Sequence, residues 1–296
     1  MNNKKIAYLL VVHKSPNQVN LFLEQLLNIG DCDIYIHVDT KSDNIMPQLK
    51  KDKKIHIYSE FDVKWGSFEI VESAIFLMRK IQELGKTYEY IYFGSGQDLI
   101  TRNGLLGYLD ENKGNIFIQI DDKPIKNNDR RSSRFNVKWP KKLLIRNDLH
   151  LYRFVRIFIS ILCKFGINLF PNKKRLKKEL TFYQGRTWFI IPYEVMIYIN
   201  NYLTENGNYI DFWRDSLASD LMFFQTLIMN SPYKNKVHDE LMYVQFGTKF
   251  RNMNHPHTIT IDDIEKLKKS NKYFARKFEE KEDYEVIKYY LKNVSN

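Results

Sequence analysis

The sequence predicts an α/β protein with a parallel sheet covered on both faces, built as one compact domain. Three observations carry this. Apolar runs of strand length alternate with amphipathic stretches of helix length over roughly the first hundred residues. Polar turns follow the strand ends, where open α/β sheets bind ligands. Neither an internal repeat nor a Pro/Gly/Ser-rich linker divides the 296 residues.

The elements follow in order. Ile6–Val12 is a continuous apolar run closed by His13-Lys14-Ser15-Pro16, the pattern of a buried strand entering a loop. Residues 17–27 set Val19, Phe22, Leu23, Leu26 and Leu27 at helical spacing. Asp33–Val38 is a second strand, followed by Asp39-Thr40-Lys41, and Ile55–Ser59 is a short third. Over 67–84, Ile70, Val71, Ala74, Leu77, Met78 and Ile81 share a helix face. Tyr88–Phe93 is a strand and Gly94 to Asp98 a turn. The order β-α-β-β-α-β places three polar turns, opening at His13, Asp39 and Gly94, at one sheet edge. A nucleotide or similar ligand is expected across them.

Residues 121–178 differ in character. Leu151–Phe170 reads as an apolar helix interrupted by Arg153, Arg156 and Lys164, with Lys173-Lys174-Arg175 and Lys177-Lys178 behind it. Composition favours a core-packing helix with a solvated basic flank. The alternative is a basic amphipathic stretch, 151–178, lying on an anionic membrane surface. Order returns with a strand over Thr187–Ile191 and helices over 193–203, 218–229, 261–269 and 283–292. Ser219-Asp220 is read as the N-cap of the second of these helices and Thr260 as that of the third.

Composition sets the outer bounds. Hydrophobic residues at 44% and charged residues at 27% describe a folded chain. Twelve Gly and eight Pro exclude collagen-like and low-complexity classes, and two cysteines exclude a disulfide scaffold. Ile6–Val12 is too short for a signal sequence, and no segment reaches the roughly 18 apolar residues of a spanning helix. A formal charge of +11 asks for an anionic partner: nucleic acid, a membrane surface or phosphate.

Motifs narrow the chemistry. Asp31-Cys32-Asp33 precedes a strand instead of following it and reads as a turn, not a metal site. Asp121-Asp122 and Asp262-Asp263 are adjacent pairs, the second in the first turn of a helix, where carboxylates suit the dipole. His255-Pro256-His257 offers only two ligands. No metal and no cofactor is therefore expected. No Gly-x-Gly-x-x-Gly, phosphate loop or Gly-x-Ser-x-Gly occurs, which argues against dinucleotide enzymes, ordinary nucleotide hydrolases and serine hydrolases.

Six segments, in order from residue 6 to 278, carry a resemblance. They are Ile6 to His13 with Ile36-His37-Val38-Asp39-Thr40-Lys41-Ser42; Val63-Lys64-Trp65-Gly66-Ser67-Phe68; Tyr90 to Asp98; Gly185-Arg186-Thr187-Trp188; Ser219-Asp220 to Gln225-Thr226; and Phe274-Ala275-Arg276-Lys277-Phe278. Together they resemble the core-2/I-branching family of β-1,6-N-acetylglucosaminyltransferases and peptide O-xylosyltransferases. The resemblance implies a GT-A-like fold with a mixed central sheet. It implies an inverting, metal-independent transferase moving a sugar of the GlcNAc or xylose class from a UDP-sugar to a glycan or glycolipid acceptor. Val12, His13 and Asp39 match positions lining the uridine pocket, Trp65 an aromatic stacking on uracil, and Lys277 the lysine that neutralises the pyrophosphate. A second basic group falls near Asn254, with His255 or Arg251 as candidates. Arg130, Arg131, Arg134 and Lys138 lie on the acceptor side, and Trp188 is a wall for a sugar face or a core residue.

One departure stands out. Counting back from Gln225-Thr226, the family's catalytic Glu falls on Leu221, and Asp220 is the preceding Asp. A one-residue deletion after Trp213 would bring Asp220 into the base's place. Asp220 is the candidate base, with an N-cap as its structural alternative, Asp215 in reserve, and Glu240 and Glu194 behind. An acceptor hydroxyl needs a carboxylate to take its proton, and a departing diphosphate needs fixed cations where no metal serves.

The expected organisation is a UDP-binding half (1–115), a basic acceptor-side insertion (120–180) and a C-terminal catalytic and phosphate-binding part (181–296). The competing readings are a nucleic-acid binder, which no recognition motif supports, and a peripheral membrane or glycan-binding protein that has lost its chemistry. A bacterial, cytoplasmic protein, peripheral on the inner membrane, is the expected setting. Surface-polysaccharide synthesis is the expected role.

Overall fold

A computed structural model describes residues 4–126, 129–144, 150–174, 176, 179–247 and 255–294. The first hundred residues build the predicted order. β1 (Lys4–Val12), β2 (Cys32–Val38), β3 (Ile55–Tyr58) and β4 (Tyr88–Ser95) are parallel neighbours, connected through α1 (Pro16–Ile29) and α2 (Glu69–Glu83). Both faces are covered, so the strands are near-continuously apolar. Along β1 the side chains alternate between two cores. Ile6, Tyr8, Leu10 and Val12 join the core under α1, and Ala7, Leu9 and Val11 join the core under α2.

Past β4 the sheet becomes mixed. β7 (Gly185–Pro192) runs antiparallel to both β4 and β6 (Ile116–Ile120), and β8 (Val237–His238) closes the edge, giving the order β3-β2-β1-β4-β7-β6-β8. A second, small sheet joins β5 (Leu99–Ile100), β10 (Phe274–Arg276) and β9 (Met242–Val244). This mixed α/β sheet flanked by helices is the predicted GT-A-like architecture. The remaining helices are α3 (Leu105–Glu111), α4 (Ser133–Asn136), α5 (Leu151–Lys164), α6 (Tyr193–Glu205), α7 (Gly207–Trp213), α8 (Phe223–Met229), α9 (Ile264–Ser270) and α10 (Tyr284–Asn293).

Several expectations are corrected. Asp31-Cys32-Asp33 is not a turn throughout: Cys32 and Asp33 lie in β2. Asp33 is buried there and accepts from the Tyr88 hydroxyl at 2.6 Å and Lys86 at 3.1 Å. The helix expected to reach Phe170 ends at Lys164, and Gly166, at φ 82°, takes the left-handed turn that stops it. The helix expected from Ala218 begins at Phe223, after a 3-10 turn over Ser219–Leu221. Thr260 does cap its helix, in a reciprocal box with Asp263.

α5 is the largest surprise. It does not pack as a core helix with a basic flank. Arg153, Arg156 and Ser160 are buried, while Leu151, Phe154, Phe158 and Ile161 face outward. Arg156 donates to the Leu143 carbonyl, and Ser133 Oγ donates to Ser160 Oγ at 3.0 Å. Ile159 joins Val137 and Trp139 in a small separate apolar cluster. The polar face is satisfied inside, so the apolar face is left outside.

Candidate active site

The site assembles at the carboxyl ends of β1, β2 and β4. The Asp39 amide donates to the Val12 carbonyl at 2.9 Å, fixing the two strand ends side by side. The Asp39 carboxylate, nearly buried, accepts from the Lys41 amide at 3.0 Å, and His13 stands exposed at the rim. Thus Val12, His13 and Asp39 come together at one strand end. The Ser95–Asp98 turn lies beside them, with the Gly96 amide donating to the Val11 carbonyl.

The Phe274–Phe278 block is stitched onto this edge. Gln18 Nε2 donates to the Phe278 carbonyl, and the Phe278 amide to the Gln97 carbonyl, both at 2.9 Å. Lys277 Nζ lies 2.9 Å from Glu279 Oε1, and Lys14 Nζ lies 2.7 Å from the same oxygen. Burial works against the charge of Glu279, but the two lysines outweigh it and hold the carboxyl below its usual range. Two cations on one carboxylate leave a net positive cluster at the mouth of the site. Lys14 carried no role in the sequence reading. Its signal was its place in the turn after the first strand.

Arg276 is the other residue that sequence reasoning passed over. Its guanidinium lies 3.9 Å from the Trp188 ring centroid. Its Nη2 donates to Ser95 Oγ at 2.8 Å, and its Nε lies 3.3 Å from Asp98 Oδ1. Asp98 is fully buried and also accepts from the Tyr92 hydroxyl and the Ser95 amide. Trp188 is therefore neither a bare wall nor simple core: one face carries an arginine, which suits cation–π attraction. His255 sits beyond β9 and stays partly exposed. Two residues on, the His257 carbonyl accepts from the Lys277 amide at 3.4 Å, which brings this segment to the lysine. Arg251 and Asn254 lie outside the described residues.

Asp220 is placed by a constrained turn. Ala218 takes φ 51°, uncommon for a residue with a Cβ, and its amide donates to the Gly66 carbonyl at 2.7 Å. The turn is thereby closed onto the Trp65-Gly66 segment. Asp220 is not an N-cap. Its Oδ2 accepts from Thr187 Oγ1 at 2.7 Å, and Arg134 faces it electrostatically. Burial pushes the Asp220 carboxyl above its ordinary range, against the pull of Thr187 and Arg134, yet the residue keeps partial exposure. Leu221, where the resemblance puts the base, packs against the apolar core.

The other carboxylates are otherwise engaged. Asp215 pairs with Lys174 at 3.0 Å. Glu194 opens α6 beyond Pro192, which pairs with Tyr90, so it lies at the opposite end of the sheet. Glu240 is buried and ion-paired with Arg186, and burial still pushes its carboxyl up to about 7. Trp65 carries the Arg156 guanidinium 5.1 Å from its ring centroid, so at most one face is open to a base. Arg131 bridges Asp121 and Asp129, while Arg130 is exposed.

The contacts close a circuit. It runs from Val12 to Asp39, through the Thr40 amide to the Phe61 carbonyl, along 61–66 to Ala218, from Asp220 to Thr187, and from Trp188 through Arg276 to Lys277, Glu279 and Lys14. The polar strand ends, the lysine pair on Glu279 and the Asp220 carboxylate thus lie along one rim. The sequence model of the Core-2/I-Branching enzyme family matches residues 6–270, and the chain belongs to that family. No match to a curated protein sequence was found. Among solved structures, the chain is similar to Rv0371c from Mycobacterium tuberculosis H37Rv, with 8% identity, TM-score 0.28, and coverage of 40% of this chain and 66% of that one. It is also similar to 4-diphosphocytidyl-2C-methyl-D-erythritol synthase from Anaerococcus prevotii DSM 20548, with 8% identity, TM-score 0.31, and coverage of 72% and 84%.

Proposed function

We propose that this glycosyltransferase moves a sugar of the GlcNAc or xylose class from a UDP-sugar to a hydroxyl of a glycan or glycolipid, with inversion and without a metal. Asp220 is the general base. The observation that carries this reading is the Asp220 carboxylate, presented by a closed turn, oriented by Thr187 and balanced by Arg134. A base whose pKa is raised toward the working pH accepts a proton more effectively in the transition state. Lys277, with Lys14, offers the fixed positive charge that a departing diphosphate needs. Val12, His13 and Asp39 cradle the nucleoside, and Trp65 stacks on it through the face that Arg156 leaves. Arg130, Arg131 and Trp188 border the acceptor, and His255 supports the phosphate side.

A second reading has one observation in its favour. With Leu221 packed against the apolar core where the base would stand, the chain binds UDP and an acceptor but turns over weakly or not at all. Two measurements decide. UDP should raise the melting temperature equally with and without EDTA. Asp220→Asn should keep that UDP response while transfer from UDP-sugars falls at least roughly a hundredfold. Wild-type UDP binding without any transfer supports the second reading, and full activity in Asp220→Asn removes Asp220 as the base. The acid limb of kcat/KM should lie above the ordinary aspartate value of about 3.9.

A further inference from the structure

The chain's excess positive charge sits in one segment. Residues 130–178 hold fifteen Lys and Arg against one acidic residue, Asp148, a net +14. The remainder holds 31 (46 − 15) against 34 (35 − 1), a net −3. Part of this charge is internal: Arg153 and Arg156 are buried, Arg131 bridges two aspartates, and Lys174 meets Asp215. Lys138, Lys141, Lys142, Lys164 and Lys173 are exposed.

The same segment holds the molecule's exposed apolar surface. Eight of the twelve exposed large apolar side chains among the described residues fall within 151–170. Leu151, Phe154, Phe158, Ile161 and the capping Phe165 are 41–73% exposed. They lie within about 80° of one another around the helix. Ile167, Leu169 and Phe170, next along the chain, are exposed as well. The Lys138 amide donates to the Phe170 carbonyl at 2.7 Å, so a lysine borders it directly. A contiguous apolar patch of this kind rimmed by one sign of charge marks an interaction surface.

We propose that residues 151–170 seat the protein on an anionic lipid bilayer, with α5 in the headgroup plane, its phenylalanines in the acyl boundary and the flanking lysines on lipid phosphates. Two features select this occupant. A symmetric pairing of two copies through this face would set two strongly basic segments against each other. Among the described residues no helix is long and apolar enough to cross a membrane, so the stripe lies on the bilayer instead of spanning it. The inference does not depend on which sugar is moved, or on whether Asp220 is the base.

Vesicle sedimentation of the full chain tests it. The protein should pellet with phosphatidylcholine vesicles containing phosphatidylglycerol, pellet far less with phosphatidylcholine alone, and be released by high salt. Phe158→Ser with Phe165→Ser should lower binding by roughly tenfold or more, with far-UV circular dichroism unchanged. Charge reversal at Lys141 and Lys142 should weaken binding to the anionic vesicles alone. Undiminished sedimentation of the double serine variant overturns the proposal. So does a dimer dissolved by Phe158→Ser without vesicle binding, or salt-sensitive DNA binding in place of vesicle binding.

Discussion

At the carboxyl ends of the central strands, polar and ionic groups are drawn inward and given partners. Asp98 meets Arg276, the Asp39 carboxylate accepts from the Lys41 amide, and His37 accepts from the Glu60 and Phe61 amides through Nε2 at 3.2 and 3.1 Å. In α5 the arginines also turn inward, but the phenylalanines turn out. In the first region the buried polar groups sit beside an apolar core that stays inside. In the second, a polar face with partners at hand displaces the apolar face from the interior. The contrast shows that a helix's orientation is set by whichever face finds the better partners, and that amphipathicity alone leaves the sign open.

The comparison can be broken at its strongest joint first. Asp98→Ala strands a buried arginine without its carboxylate, and should cost about 3–5 kcal/mol in urea unfolding. A loss below about 1 kcal/mol would show that Arg276 is solvated after all.

Two titrations come next, of opposite sign. Burial lowers His37 from 6.5 to about 4, so its contribution is complete above pH 6.5 and lost as pH falls through 4. Burial raises Glu240 from 4.5 to about 7, so its contribution is complete below pH 4.5 and lost as pH rises through 7. Each is worth up to roughly 3 kcal/mol. Unfolding midpoints against pH should rise from pH 4 toward 6.5 through His37. Glu240→Gln should steepen that rise by removing the opposing slope.

The smallest effects lie in α5, and their order is the sharpest check. Arg156→Ala should destabilise by about 1–3 kcal/mol through the Leu143 carbonyl and the Trp65 ring. Phe158→Ser should stay within about 0.5 kcal/mol. The reverse order in thermal melts would put Phe158 inside and Arg156 outside.

Much of the fold was legible in the sequence. Largely apolar runs gave β1, β2 and β4 nearly to the residue, because strands covered on both faces carry few polar residues, and those in β2, Asp33 and His37, are buried with partners. Short strands escaped: Ile116–Ile120 and Phe274–Arg276 owe their state to neighbours distant in sequence. At the site, the turns that open at His13 and Asp39 are visible as polar breaks after strands, while Val12 and Lys277 entered only through the family resemblance. Arg276 was not found, since nothing in Phe-Ala-Arg-Lys-Phe says which cation goes to a buried aspartate and which to the rim. Asp220 looked like a cap because Ser-Asp before an apolar run has that appearance. Thr187, which receives its carboxylate, is 33 residues away.

β7 carries one more consequence. Its neighbours Arg186 and Thr187 each hold a carboxylate, Glu240 and Asp220. Sliding the strand by one residue would exchange their faces and undo both partnerships at once. Gly185 guards against this: a methyl group there would come within 1.9 Å of the Gln119 carbonyl oxygen, where β6 departs from regular register. The smallest side chain in the chain thus works as an alignment pin. A mutation at Gly185 should therefore disturb the Arg186–Glu240 and Thr187–Asp220 partnerships while all four of those side chains stay unchanged.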